Sequence, residues 1–549
     1  MCDVRNILIS PLLKGNVQII QGSKSMTTTY NKVKTYLREN IPSLIFLGLI
    51  ILVSYGFELF NVHLTIDDEL GALRSGTNSG FVAIGRWALC LLVNPLLPQR
   101  NIPMLPLALG LIFMLAGMFM LLDCLGIKRQ SERVLLIGLG LTWSGFAYIL
   151  SFSDASCAIG VGFFCAALSL FIFTKAKSWY KLLAALPVSV LIGIYQPLLQ
   201  PLVLVFLLNL LYHWQEQRQT IFRYFFSVLL VLGLGYLLYA GIQQFLLMVF
   251  HLETSSYISH FFSLSSILQN LGWYIHKCAL LLYNLVVGDS SFYGLTVRGL
   301  PLLLVISGIL ILCGAFRQRE STLSFIEFSF LLMLFGIIPV IGGVLTKGYI
   351  PYRSLLGFPI FILGWVALGF KYATKPTTRT VVLVFAAFTI FQFSASINHL
   401  FSSSAFAYQE DTLLAERIIQ RVDGIRADTE IPEPKYLEQI GYVDRASTPL
   451  VSRIENIGAS FFGWDQGVSS DRPAALIEIL GLAELEGLPD DQRGKYVSEG
   501  VNMPVWPEPG SVKVVEDVLI VKFGPYSQTQ KASICQAGNL SALPSGFCP

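Results

Sequence analysis

The stretch PSLIFLGLIILVSYGFELFNV, residues 42–62, runs directly into HLTIDDE, residues 63–69, and its reading decides the fold. Its single charge, Glu58, lies near the end, and a membrane-crossing helix needs about 20 predominantly apolar residues. Three consecutive acids, Asp67, Asp68 and Glu69, then stand where such a helix would leave the lipid. Ten further apolar stretches follow, near 105–125, 134–152, 156–174, 182–198, 200–213, 224–250, 299–316, 323–345, 354–370 and 380–398. The expectation is a polytopic α-helical membrane protein of about 11 spans. Stretches 182–198 and 200–213 are short and meet at Tyr195-Gln196-Pro197, as a broken or tilted pair would.

Composition agrees. Of 549 residues 54% are hydrophobic and 13% charged, against roughly a quarter charged in a soluble domain, which excludes a soluble globular enzyme. The net charge of +3 conceals two regions. Residues 1–400 hold 26 Lys and Arg against 14 Asp and Glu, whereas residues 401–549 hold 12 against 21. The first region suits lipid and the second water. Three segments are therefore expected: a cytoplasmic 1–40, a membrane domain 41–400, and an exported acidic α+β domain 401–549.

Basic residues set the orientation. With the N-terminus inside, cytoplasmic segments carry 19 Lys and Arg, and the opposite face carries Arg74, Arg86, Arg100, Lys277, Arg298, Lys347 and Arg353. The first span would act as its own signal anchor, because residues 1–40 are polar. Counting 271–287 as a further span would reverse the pattern, so it reads as interfacial or re-entrant. Cys535 and Cys548 close a short loop at the end of the tail. In an oxidising compartment that spacing suits a disulfide, the alternative being two unrelated thiols. Within the tail, Leu413, Leu414, Ile418 and Ile419 repeat at helical spacing over 410–422, and 511–515 with 518–522 reads as a β-hairpin around Glu516-Asp517.

Two outer loops are long, 63–104 and 251–298, which is usual for functional segments. The spans bury almost no ionisable groups, unlike those of ion-coupled transporters. Chemistry would then sit on the outer surface, where nucleotide sugars are absent and an activated substrate must arrive on a lipid. A carboxylate of Asp67, Asp68 or Glu69 can take the proton of an acceptor hydroxyl. A lipid phosphate leaves as an anion and needs a cation, for which Arg86 and then Arg74 are at hand. The alternative is that Asp67 and Asp68 cap an interfacial helix. Lys347 and Arg353 either hold the same phosphate or snorkel to the interface. Tyr195 and Gln196 either hydrogen-bond sugar hydroxyls or satisfy backbone freed by Pro197. Phe461, Phe462, Trp464 and Trp506 are core residues or sugar-stacking rings. His251, His260 and His276 lack ligand spacing, so no metal site is expected. Gly138-Leu139-Gly140 reads as helix packing, with no strand before it to make a dinucleotide loop.

An acidic pair after the first span, ahead of an amphipathic outer loop, is similar to the pattern of GT-C fold membrane glycosyltransferases, several families of which carry Asp-Glu there, as Asp68-Glu69 does here. The string Thr65 to Glu69 with Gly85-Arg86-Trp87, then Gly193-Ile194-Tyr195-Gln196, Gly348 to Arg353, and Met503 to Pro507 ahead of Gly510-Ser511-Val512 resembles the Gtr type II family, serotype-converting O-antigen glucosyltransferases of enterobacteria and their phages. The resemblance spans most of residues 45–525. It implies undecaprenyl-phosphate-glucose as donor and O-antigen repeat units of lipopolysaccharide as acceptor, at the periplasmic side of the bacterial inner membrane. It also implies a flippase and a lipid-glucose synthase as functional partners; nucleic acid and a cofactor are not expected. Carried onto this chain, Asp68 is the base of an inverting displacement with Glu69 or Asp67 assisting, and Trp87, Tyr195 and Gln196 are set beside the sugar. Two other readings fit the scaffold: transfer of another polyprenyl-phosphate sugar or to a protein acceptor, and a lipid-linked glycan flippase.

Overall fold

The computed structural model describes residues 22–69, 80–96, 104–254, 267, 269–319, 321–346, 348, 350–428, 432–537, 543–544 and 546–548, and every count below refers to these. The chain divides into two units, residues 1–48 and 49–549. Helix α1, Gly22–Phe60, contains Pro42 and ends just before the acidic string. Eight described helices are long and apolar enough to cross a membrane. They include α1 from Asn40, Leu105–Leu125, Gln130–Leu150, Ala155–Lys175, Trp214–Val249, Gly299–Arg317 and Thr322–Val344. The expected spans at 182–198, 200–213 and 354–370 fall instead on shorter apolar helices, Ser178–Ile194, Gln196–Tyr212 and Phe358–Tyr372. The break between the first two comes at Tyr195, whose extended backbone interrupts the helix ahead of Pro197. Leu271–Val287 is a further short apolar helix.

Side-chain exposure separates membrane from core. The window of Gln130–Leu150 is 89% buried and that of Trp214–Val249 only 11%. Phe222, Phe226, Leu229 and Leu237 on the latter are exposed large hydrophobics. Such a continuous apolar face is stable only against lipid or a partner. Between helices the contacts rely on small residues. A Cβ placed on Gly110 would lie 2.4 Å from the Ser156 carbonyl, and one on Gly160 would lie 2.1 Å from that of Gly110, so the backbones of Leu105–Leu125 and Ser153–Lys175 nearly touch. Gly138 and Gly140 are packing positions too, against Ile390 and Leu363. Acids near helix ends are paired: Asp123 with Arg133 at 2.6 Å, Glu132 with Arg379 at 3.0 Å and Glu327 with Arg218 at 2.9 Å.

The last long helix, Pro376–Asp428, has 53 residues, about 80 Å at 1.5 Å per residue, far more than a bilayer core of about 30 Å. Its second half leaves the apolar bundle and becomes the spine of the tail. The expected boundary at 400/401 thus falls inside one helix, and the amphipathic pattern at 410–422 is its continuation. Leu414, Ile418, Ile419 and Val422 pack with Leu437, Phe461, Phe462, Leu476, Leu519 and Val521. The strands are β1 (Tyr436–Ile440), β2 (Glu486–Gly487), β3 (Val512–Val515) and β4 (Val518–Lys522). They form one sheet in the order β2-β1-β4-β3, with β1 parallel to both neighbours and β3-β4 the expected antiparallel hairpin. Phe461 and Phe462 are core residues, 3% and 2% exposed. Ile66 from the loop after α1 is buried in this same cluster, with Leu64 against it.

Cys535 and Cys548 form the expected disulfide, with Cα atoms 6.0 Å apart. Closing a loop of this size is worth about 3 kcal/mol by chain entropy. Cys535→Ser should therefore lower the tail's unfolding free energy by roughly that amount, and mass spectrometry of alkylated protein should find both cysteines labelled only after reduction. Labelling of both in the unreduced wild type would contradict the pairing.

Candidate active site

The loop after α1 is shaped by the sequence Thr65-Ile66-Asp67-Asp68. Ile66 is driven into the tail core, and Asp67 turns the chain with φ of 84°, in the left-handed region where Asp is among the tolerated residues. The Asp68 N–H closes the turn onto the Thr65 carbonyl at 3.0 Å. Consecutive acids are thereby aimed at different surroundings.

Asp68 faces the N-terminus of helix Ser153–Lys175. Its Oδ1 accepts from the Ser153 N–H (3.1 Å) and hydroxyl (2.9 Å), and its Oδ2 accepts from the Thr65 N–H (3.2 Å) and hydroxyl (2.9 Å). The positive end of the helix dipole adds to these donors. Burial pushes the Asp68 carboxyl up to about 6, and the hydrogen bonds of Thr65 and Ser153 hold it from going further. The Thr65 hydroxyl has a second acceptor, the Ser151 carbonyl at 3.0 Å. A hydroxyl carries one proton, so rotation to Ser151 withdraws a donor from Oδ2. Asp68 lines a small cavity of about 120 Å³ with Glu58, His63, Ser151 and Ser153. His63 lies 3.6 Å from Glu58, and burial pushes its pKa down to about 4, so it stands there as the neutral imidazole.

Asp67 and Glu69 turn the other way, onto a residue that sequence reading missed. Arg472, at the start of helix Asp471–Ile479, pairs with Glu69 through Nη1, with Asp67 through Nη2 at 2.7 Å and with Asp465 through Nε at 2.9 Å. Glu69 is fully buried, and burial pushes its carboxyl up to about 7 against the charge of Arg472. No local pattern in Asp471-Arg472-Pro473 announces this role, because two of its three partners, Asp67 and Glu69, lie about 400 positions away.

The expected cations and sugar-side residues form a second group. The Arg86 guanidinium lies 4.8 Å from the Tyr195 ring centroid. Gln196 and Tyr239 donate to the Gly85 carbonyl at 3.2 and 3.1 Å, and Gln243 to that of Val82 at 2.7 Å. Trp87 is buried against Gly193, where an added Cβ would come within 2.6 Å of the indole. The fragments Gly85-Arg86-Trp87 and Gly193 to Gln196 are thus one structural unit, in which Tyr195 and Gln196 brace the arginine turn. Arg353 lies elsewhere, 5.7 Å from the ring of Phe152, the residue next to Ser153. Arg74 and Lys347 fall outside the described residues.

Removing one member of a buried ion pair costs about 3–5 kcal/mol, because its partner keeps an uncompensated charge. Arg472→Ala should destabilise the detergent-purified protein by that order, and Arg472→Lys by less, measured by thermal and chemical denaturation. Equal stability of Arg472→Ala and wild type would contradict the clamp.

No curated protein matches the chain. The family model described as Glucosyl transferase GtrII matches residues 56–368. That span holds the acidic turn, Arg86, the Tyr195-Gln196 break and Arg353, and stops short of Arg472 and of the fragment at 503–512. More than half of the chain is covered, and this protein belongs to the GtrII family of glucosyl transferases.

Proposed function

We propose that the protein transfers glucose from undecaprenyl-phosphate-glucose to a hydroxyl of the O-antigen repeat unit of lipopolysaccharide, at the periplasmic face of the bacterial inner membrane, with Asp68 as general base. Family membership supplies glucosyl transfer in O-antigen modification. The observation that carries the rest is the Asp68 carboxylate, held by Thr65 and Ser153 at the end of the first span with its pKa near the working pH.

The steps follow from that placement. An acceptor hydroxyl gives its proton to Asp68 as its oxygen attacks the anomeric carbon. The bond from that carbon to the donor phosphate oxygen breaks, and the glucose inverts in a single displacement. The leaving lipid phosphate is a stable anion, so no general acid is required, and a guanidinium that meets its charge lowers the barrier. Arg353 is beside the segment carrying Ser153, and Arg86 is held by Tyr195, so both are candidate phosphate partners. Asp68 then returns its proton to water. Asp67 and Glu69 are engaged by Arg472, which leaves Asp68 the member of the triplet for chemistry.

The sign of the pH dependence follows. The raised pKa means that Asp68 is protonated, and inactive as a base, below about pH 6. Transfer should rise tenfold per pH unit below 6 and level off above it. Loss of a general base costs roughly 10²- to 10⁴-fold, so Asp68→Asn should lose transfer by that factor while remaining monodisperse. Radiolabelled donor turnover by purified protein with O-antigen acceptor measures both; full activity of Asp68→Asn, or a rate that falls between pH 5 and 7, would overturn the assignment.

A further inference from the structure

A cavity of about 860 Å³ lies on the side that carries the tail, walled by helix Leu271–Val287, the turn at Ser290 to Gly294, the segment Gly348 to Tyr352, and the tail at 447–455. Ligand sites run from about 300 to 1,000 Å³, so this cavity has the size of one, and the small cavity at Asp68 has not. Most of its wall belongs to neither the acidic turn nor the Arg86 group.

The polar lining selects a class of ligand. The Asn284 amide and the Ser290 and Ser291 hydroxyls line it and take no side-chain partner among the described residues. Tyr352 adds a ring whose other neighbours are Phe292 and Tyr148, at 4.7 and 5.4 Å. Of the charged residues, Arg453 is consumed within the protein, donating to Gly458 at 2.7 Å and to Glu410 at 2.8 Å. The Lys277 ammonium lies 5.1 Å from the Trp273 ring centroid. Glu455 is held by the Tyr352 N–H on Oε1 at 2.8 Å and feels the charge of Arg353, while its buried Oε2 accepts no hydrogen bond. A carboxylate oxygen without a donor repels a phosphate and matches a hydroxyl. Neutral amide and hydroxyl groups, an aromatic ring and an unmatched acceptor together suit a neutral glycan.

The wall is also tied to Asp68. Asn456, next to Glu455, donates to the Tyr148 carbonyl at 3.1 Å and to the Ser151 hydroxyl at 3.0 Å. Ser151 in turn accepts from Thr65, which holds Asp68.

We infer that this cavity binds the acceptor, a neutral oligosaccharide recognised through its hydroxyls by Glu455, Asn284 and the neighbouring serines, with the tail domain supplying one wall of the site. The naming of this ligand as acceptor rests on the glucosyl transfer proposed above; the cavity's preference for a neutral glycan over a lipid phosphate rests on its own lining. The test is equilibrium binding of lipid-free O-antigen oligosaccharide, released by mild acid from the source bacterium, to the full-length protein in detergent. Asn284→Trp fills the cavity from a helix face, and Glu455→Gln keeps an acceptor for the Tyr352 N–H while removing the charge. Both should weaken binding at least tenfold with unchanged elution and melting, and excess undecaprenyl phosphate should not displace the glycan. Wild-type affinity in both variants, no binding to the wild type, or displacement by undecaprenyl phosphate would overturn the inference. Cavity-dependent binding by a wild type that transfers no glucose would leave this assignment standing and sink the transferase reading instead; transfer by a wild type whose binding ignores the cavity would do the reverse.

Discussion

One guanidinium ties the acidic turn after the first span to the tail. Arg472 presents five N–H donors in a fixed fork and spends them on Asp67, Glu69 and Asp465. Glu69 is fully buried, and a buried carboxylate is tolerable only with a matched partner. That partner arrives from the tail, some 400 residues downstream. Ile66 enters the tail core one position before the acidic triplet, so an apolar anchor and an ionic clamp act on the same turn. The loop after the first span therefore takes its shape from the tail domain. Where that loop holds Asp67 and Glu69, the intervening Asp68 is carried to the opposite side, onto Ser153 and Thr65.

This arrangement divides three adjacent acids by environment. Asp67 and Glu69 neutralise Arg472, while Asp68 accepts from Thr65 and Ser153 at a helix N-terminus. Backbone N–H groups and hydroxyls of Thr65 and Ser153 donate to both Asp68 oxygens and stabilise the anion. Burial raises both Asp68 and Glu69, but the Arg472 guanidinium occupies Glu69 in an ion pair, whereas Asp68 lines the small cavity. The same economy appears at Arg86, which is oriented by the Tyr195 ring and by donors to the Gly85 carbonyl.

Features written in local sequence were legible. Apolar length gave the membrane class, alternation gave the hairpin at 512–522, and spacing gave the Cys535–Cys548 bridge. The acidic string, Arg86 and Arg353 stood out by residue type, and the order of the fragments carried the family. Span lengths read less well, because Phe358–Tyr372 and the pair meeting at Tyr195 are buried by neighbouring helices and need not each be as long as the bilayer. The change of charge composition at 400/401 falls inside one helix, Pro376–Asp428, because helical periodicity runs on where the composition changes. Tyr195 and Gln196 read either as sugar-side groups or as partners of freed backbone, and their described contacts brace the Arg86 turn. Arg472, Asn456 and Glu455 gave no signal at all, since each acts on a partner far away in the chain.

The claim on which the rest turns is that Asp68, and not its clamped neighbour, is the group whose ionisation governs transfer. The pH profile of glucosyl transfer by Glu69→Gln tests it most directly, because the amide keeps a hydrogen bond to Arg472 and removes only the carboxylate. The account predicts a rate that still rises through about pH 6, as in the wild type, because the Asp68 carboxyl is unchanged. Loss of that step together with loss of transfer in Glu69→Gln would place the base at Glu69 and contradict it.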